Sequence, residues 1–128
     1  MNIDTESSTP IKVLILSDRL IDYALKLADY LTSVGLHVID LTTTKEEALR
    51  YCNEHIDFLI IAGYLKDTNN YGVIHELNNR KLPVVPVIWA ILDALIISHC
   101  NLYRIPLRFE RTLPMSDFVT FLKEQCPK

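Results

Sequence analysis

Ile56-Asp57-Phe58-Leu59-Ile60-Ile61-Ala62-Gly63-Tyr64-Leu65 is the stretch whose reading decides the fold. Its apolar run, Phe58 to Ile61, is bounded by Asp57 on one side and Ala62-Gly63 on the other. So short a run, with no polar alternation, predicts a strand buried on both faces, as in the middle of a parallel sheet. In open α/β sheets, ligands and chemistry gather at the carboxyl ends of such strands. Here that end carries Ala62 and Gly63, which have no functional group. The central position for a reactive side chain is blank.

Outward from this strand the chain alternates. Ile11 to Leu16 reads as a first strand, followed by Ser17-Asp18, either of which can cap the next helix. In that helix Ile21, Ala24, Leu25, Ala28 and Leu31 recur at helical spacing and predict one apolar stripe, closed by Gly35. Leu36 to Leu41 is a second strand. Thr44 and Glu47 then have capping-box spacing, for a helix running to about Glu54.

After the central strand come a polar loop, Lys66 to Asn70, and a short helix from Tyr71 to Asn79 with Ile74 and Leu77 inward. Pro83 to Ile88 reads as a fourth strand, with Pro86 pointing to an irregular start or an edge. Ala90 to His99 reads as a fourth helix, apolar nearly all round. Tyr103 to Phe109 is a fifth strand interrupted by Pro106, and Met115 opens a last helix with Phe118, Val119, Phe121 and Leu122 facing in. This alternation predicts an α/β three-layer sandwich: a five-stranded parallel sheet, doubly wound in the flavodoxin-like manner.

The totals narrow the function classes. At 128 residues the chain suits one domain, with Met1 to Pro10 a polar, disordered tail and residues 11–128 the folded unit. A net charge of −3 supplies no global basic field for nucleic acid or anionic membrane. Cys52, Cys100 and Cys126 form no CxxC pair, which fits free thiols in a reducing cytoplasm. Leu82 to Ile97 is broken by Pro83, Pro86 and Asp93 and falls short of the roughly 18 residues a membrane span needs. His37, His55, His75 and His99 lack ligand spacing, so no metal site is expected. Ser17 to Asp22 contains no glycine, which argues against a Rossmann-type nucleotide loop and any such cofactor.

Gly35-Leu36-His37-Val38, Glu46-Glu47-Ala48-Leu49 and Ile56 to Ile61, in that order, resemble the second strand, second helix and third strand of the receiver domain of bacterial response regulators. Tyr71 to Leu77, ending in Leu82-Pro83-Val84-Val85, similarly resembles the family's third helix and fourth strand. The resemblance implies a phosphoryl group carried on an aspartate at the end of the third strand. It further implies Mg²⁺ held by acidic residues after the first, and a hydroxyl and a Lys-Pro pair that read the phosphate. The matching positions here depart from that pattern. The acceptor place is held by Ala62, and the acidic pair is reduced to Asp18, between Ser17 and Arg19, whose charge would oppose a metal. The hydroxyl position falls on Ile88 or Trp89, and the X-Pro pairs are Ile105-Pro106 and Leu113-Pro114. The resemblance therefore implies a degenerate receiver, a pseudo-receiver, with Ser17, Asp18, Ala62 and Ile88 as a vestigial phosphorylation pocket.

In receivers the fourth helix, fifth strand and fifth helix form the face used for dimers and partners. The apolar fourth helix and the basic, aromatic segment Tyr103, Arg104, Arg108, Phe109 and Arg111 fit such a face. Trp89, Ile96, Tyr103, Arg104 and Arg108 are accordingly the expected partner interface, for a protein partner or a second copy, with nucleic acid disfavoured. Asp18 is expected to cap a helix and Asp67 to be a solvated loop acid. A second resemblance, of Tyr23 to Ala28 and of Glu76-Leu77 to TIR domains, implies an alternative NAD-cleaving role for Glu76. Otherwise no enzyme activity, catalytic residue, cofactor or metal is expected.

Overall fold

A computed structural model describes residues 10–126 apart from Leu20 and Asn53. The expected tail falls almost wholly outside the described residues. The strands are β1 (Lys12–Leu16), β2 (His37–Thr42), β3 (Phe58–Ala62), β4 (Val85–Ala90) and β5 (Leu107–Glu110). The helices are α1 (Ile21–Ser33), α2 (Lys45–Tyr51), α3 (Gly72–Asn79), α4 (Ala94–Tyr103) and α5 (Met115–Gln125). A 3-10 turn, Thr68–Tyr71, leads into α3. All strand pairs are parallel and the order is β2-β1-β3-β4-β5, so β3 is central, as its sequence predicts. The fold is a doubly wound α/β sandwich with the flavodoxin-like strand order.

Every residue of β3 is buried, and the pleat divides them. Leu59 and Ile61 join Leu14, Leu16, Ile88, Ala48 and Ile74 beneath α2, α3 and α4. Phe58, Ile60 and Ala62 join Val13, Ile15, Val87, Trp89 and Phe118 beneath α1 and α5. Each fully buried Leu or Ile contributes roughly 1.5–3 kcal/mol, so this strand is a main anchor of both layers.

Local sequence explains most boundaries. Thr44 Oγ1 accepts from Glu47 N at 3.1 Å, and Glu47 Oε1 accepts in return from Thr43 N at 2.8 Å, one residue earlier than a standard capping box. The Thr43 N–H and hydroxyl, both donating to Oε1, lower the pKa of the Glu47 carboxyl. Gly35, at φ +97°, closes α1 in the left-handed conformation that glycine tolerates.

Three expectations are corrected. In α1 the buried stripe is Ala24, Leu27 and Leu31, while Leu25 faces solvent. β4 runs on to Ala90 and α4 starts only at Ala94, because Asp93 caps it: its Oδ1 accepts from Ile96 N at 2.9 Å. Tyr103 belongs to α4, and β5 begins at Leu107, after Pro106.

Pro86 sits in a strand paired on both sides without being an edge. Val85 N donates to Asp57 O on the β3 side, so by alternation the Pro86 nitrogen faces β5. Pairing there begins only with Val87 opposite Leu107, so the missing N–H falls where no ladder bond is needed.

Candidate functional site

The carboxyl ends of β1, β3 and β4 meet at Ser17-Asp18, Ala62-Gly63 and Trp89-Ala90. Four residues were expected to form one vestigial pocket there, and the structure separates them. Ser17 is buried, with its N–H on Thr42 O and its hydroxyl donating to Arg19 O. Ala62 is 3% exposed and lies directly opposite Trp89, whose indole packs on Phe118. Ile88 is buried too, but one residue out of phase with Trp89, so it points into the opposite layer from Ala62. A bulky indole thus fills the side of the strand end on which a longer residue at position 62 would project. Gly63 follows at φ +83°, donating its N–H to Trp89 O at 2.8 Å. That turn favours glycine.

Among the described residues no N–H of α1 donates to Asp18, the expected helix cap. Its carboxylate accepts from Lys66 N at 2.6 Å, Asp67 N at 2.8 Å and Asn70 Nδ2 at 2.9 Å. Asn70, 4% exposed, extends the clamp to the next loop: its Nδ2 also donates to Thr43 O and its Oδ1 accepts from Lys45 N. One amide therefore ties the loop after β1, the loop after β2 and the 3-10 turn after β3. A carboxylate offers about four lone-pair sites, and three donors already occupy this one. Asp18 thus holds the loop after β3 to the end of β1. Asp67 is likewise engaged, accepting from Asn69 N at 3.0 Å to start the turn. Sequence reasoning missed Asn70 because Asn69-Asn70 carries only a turn signal.

A hollow of about 190 Å³ lies beside the closed strand end, between Gly63, Ala90, Arg19 and Arg111. An open cleft lies on the other side of the clamp, lined by Asp18, Thr43, Lys66 and Asn70.

The expected partner interface is also divided. Trp89 is 1% and Ile96 4% exposed, so both are core residues and not surface. Position 89 belongs to β4, whose side chains are covered on both faces, and position 96 turns inward on α4. Tyr103 is half-buried, stacked on Tyr71 at 4.5 Å. Arg104 is exposed as the left-handed cap of α4 (φ 59°), and Arg108 is tied to Ile105 O and Asn101 Oδ1. Arg111 lies at the far end of β5 from Arg104 and Arg108, over the Tyr23 ring at 4.2 Å, so the three do not form one stripe. What α4 exposes instead is Leu95, Ile97 and Leu102, with Ile91 just before it.

Glu76 lies on the outer side of α3 in an i,i+4 ion pair with Arg80 at 3.4 Å. Cys52 and Cys100 are buried free thiols whose pKa burial pushes up, and Cys126 is half-buried. Among the described residues no helix is long and apolar enough to cross a membrane, and no cluster of potential metal ligands occurs.

No family model matches this chain, and no curated protein does. Solved structures do. CheY of Borrelia burgdorferi, solved as a CheX-CheY-BeF3-Mg²⁺ complex, is 18% identical, with a TM-score of 0.74 over 98% of this chain and 96% of that one. A CheY-like receiver domain protein from Methanospirillum hungatei is 15% identical, with a TM-score of 0.73 over 91% and 94%. The receiver domain of the putative response regulator NarL from Mycobacterium tuberculosis is 13% identical at a TM-score of 0.73, over 90% and 94%. By its backbone, this chain has the fold of the response-regulator receiver domains.

Proposed function

We propose that this chain is a regulatory module of receiver form that carries no phosphoryl acceptor and works through protein-protein contact in signalling or transcriptional control. The observation that carries the reading is the strand end itself: Ala62 stands opposite the buried Trp89, and the nearby carboxylate of Asp18 is spent on the chain's own donors. Neither residue is free to do what a phosphoacceptor or metal ligand does. Free, mostly buried thiols fit a reducing, cytoplasmic setting.

The contact surface we assign is the outer side of α4, where Leu95 is 49% and Leu102 69% exposed, continued by Arg104. An exposed apolar patch of this kind marks an interaction surface, and an adjoining arginine suits its rim. One similar structure was solved as a complex of CheY with CheX, and a protein partner or a second copy is the corresponding expectation here.

Amide NMR spectra with and without Mg²⁺ and beryllofluoride test the first part. Unchanged signals at Asp18, Ala62 and Gly63 are expected, and saturable shifts there would overturn it. For the surface, Leu95→Glu with Leu102→Glu should abolish self-association or partner capture while leaving the thermal midpoint nearly unchanged. Unaltered association in that variant would move the contact elsewhere.

A further inference from the structure

On the flank of the sheet, α3 and α4 leave a groove of about 360 Å³ between them, and none of its residues belongs to a strand. Tyr71 and Tyr103, stacked at 4.5 Å, give it an aromatic wall, and Ile74 and Leu102 add aliphatic surface. Its polar side chains are His75 and Asn78 on α3 and Arg104 at the end of α4. Apolar walls with a few polar groups are the make-up of small-molecule sites, whose volumes run from about 300 to 1,000 Å³.

The charge of the groove is one-sided. Among the described residues Arg104 forms no ion pair, whereas the neighbouring Arg108 is tied to Ile105 O and Asn101 Oδ1. No Asp or Glu occurs from Ala94 to Phe109. The one acid of α3, Glu76, keeps its charge but is paired with Arg80 at 3.4 Å and does not line the groove. Arg104 therefore brings a positive charge that no carboxylate on these walls offsets.

The backbone marks the same residue. Arg104 sits at φ 59° and ψ 55°, the left-handed position after a helix where glycine or asparagine is favoured. A cation suits the negative end of a helix dipole, but a charge alone does not call for this conformation. Strained positions of this kind gather at ligand clamps. Here the strained residue is also the unpaired cation of a groove.

From this geometry we infer that the α3–α4 groove is a non-covalent site for a small ring-bearing carboxylate, with the ring against Tyr103 and Leu102 and the carboxylate on Arg104 and Asn78. A guanidinium and a carboxylate match as a two-pronged pair. A planar ring packs on an aromatic wall with offset or edge-on geometry. The space of about 360 Å³ equals about twelve water volumes, room for a ligand of about a dozen non-hydrogen atoms. The inference goes beyond the proposed function and is independent of it. Leu102 and Arg104 are shared with the assigned contact face, but the ligand here is a small molecule and needs no protein partner.

The test is titration of the full chain, at constant ionic strength, with indole-3-acetate, with uncharged indole-3-acetamide and with ringless acetate, followed by amide NMR. Saturable shifts at Tyr71, His75, Leu102 and Arg104 are expected with indole-3-acetate, together with contacts from its ring protons to the Leu102 methyls. The amide and acetate should each bind about ten-fold more weakly or worse. Arg104→Gly removes the cation and suits the left-handed backbone, so the thermal midpoint should be no lower while affinity falls about ten-fold. Lys123→Gln, on the exposed side of α5, should leave affinity unchanged. Non-saturating shifts, equal affinity for the acetamide, affinity unchanged in Arg104→Gly, or an equal loss in Lys123→Gln would overturn the inference.

Discussion

The two sides of the same sheet edge are built on opposite charge logic. On the side of β1 and β2, one carboxylate, Asp18, is surrounded by N–H donors that the chain itself supplies. On the side of β4 and β5, the Arg111 guanidinium lies over the Tyr23 ring and its Nε is buried with no hydrogen-bond partner among the described residues. Between them Ala62 is sealed by Trp89. An anion satisfied from within stabilises a loop; an N–H left unsatisfied from within adds no such hold. The difference separates the fully hydrogen-bonded half of the edge from its under-satisfied half.

Restoring a carboxylate at the seam puts the heaviest load on this contrast. Ala62→Asp would bury a charge against the Trp89 indole, with an expected loss of about 3–5 kcal/mol in a denaturant titration. Full stability together with a beryllofluoride response would mean that the seam opens, and the division between the halves would fall. Asp18→Ala removes three accepted bonds from a half-buried carboxylate and should cost about 2 kcal/mol. Amide exchange should rise at Lys66 and Asp67 and stay unchanged at Arg111. Faster exchange on both sides would show one coupled edge in place of two halves.

A smaller effect comes from alkali. Tyr71, whose hydroxyl accepts from Leu65 N in the clamped loop, is pushed up to about 12 by burial. The unfolded chain ionises this phenol near pH 10 and the fold does not, so stability is intact below pH 10 and declines as pH climbs towards 12. The expected slope is about 1.4 kcal/mol per pH unit, and Tyr71→Phe should flatten it. An unchanged slope in that variant would place the alkaline sensitivity elsewhere.

Much of the scaffold was legible because it rests on local rules. The unbroken run Phe58 to Ile61, the Thr44 cap and Gly35 each mean the same thing in most contexts. The stretch from Leu82 to Ile97 was harder, since a buried strand and an apolar helix follow one another with similar hydropathy. Asp93 was the only boundary mark, and it reads equally well as an interruption inside a helix. That ambiguity displaced α4 and put the buried Trp89 and Ile96 on an expected surface.

At the site, the missing acceptor was visible in Ala62, but the clamp was not. Two of the Asp18 partners are backbone N–H groups, which every non-proline residue carries and no sequence pattern marks. Arg19 and Arg111 are brought to one hollow only by the order of strands in the sheet.

The clamp also sets an order of events in time. Asp18 meets donors 48, 49 and 52 residues further along the chain, so its bonds form only after β1 has paired with β3. Breaking them should leave the refolding rate almost untouched and show up as faster unfolding. The carboxylate at position 18 thus acts as a latch on an already folded sheet, governing how long the molecule stays shut more than how fast it closes.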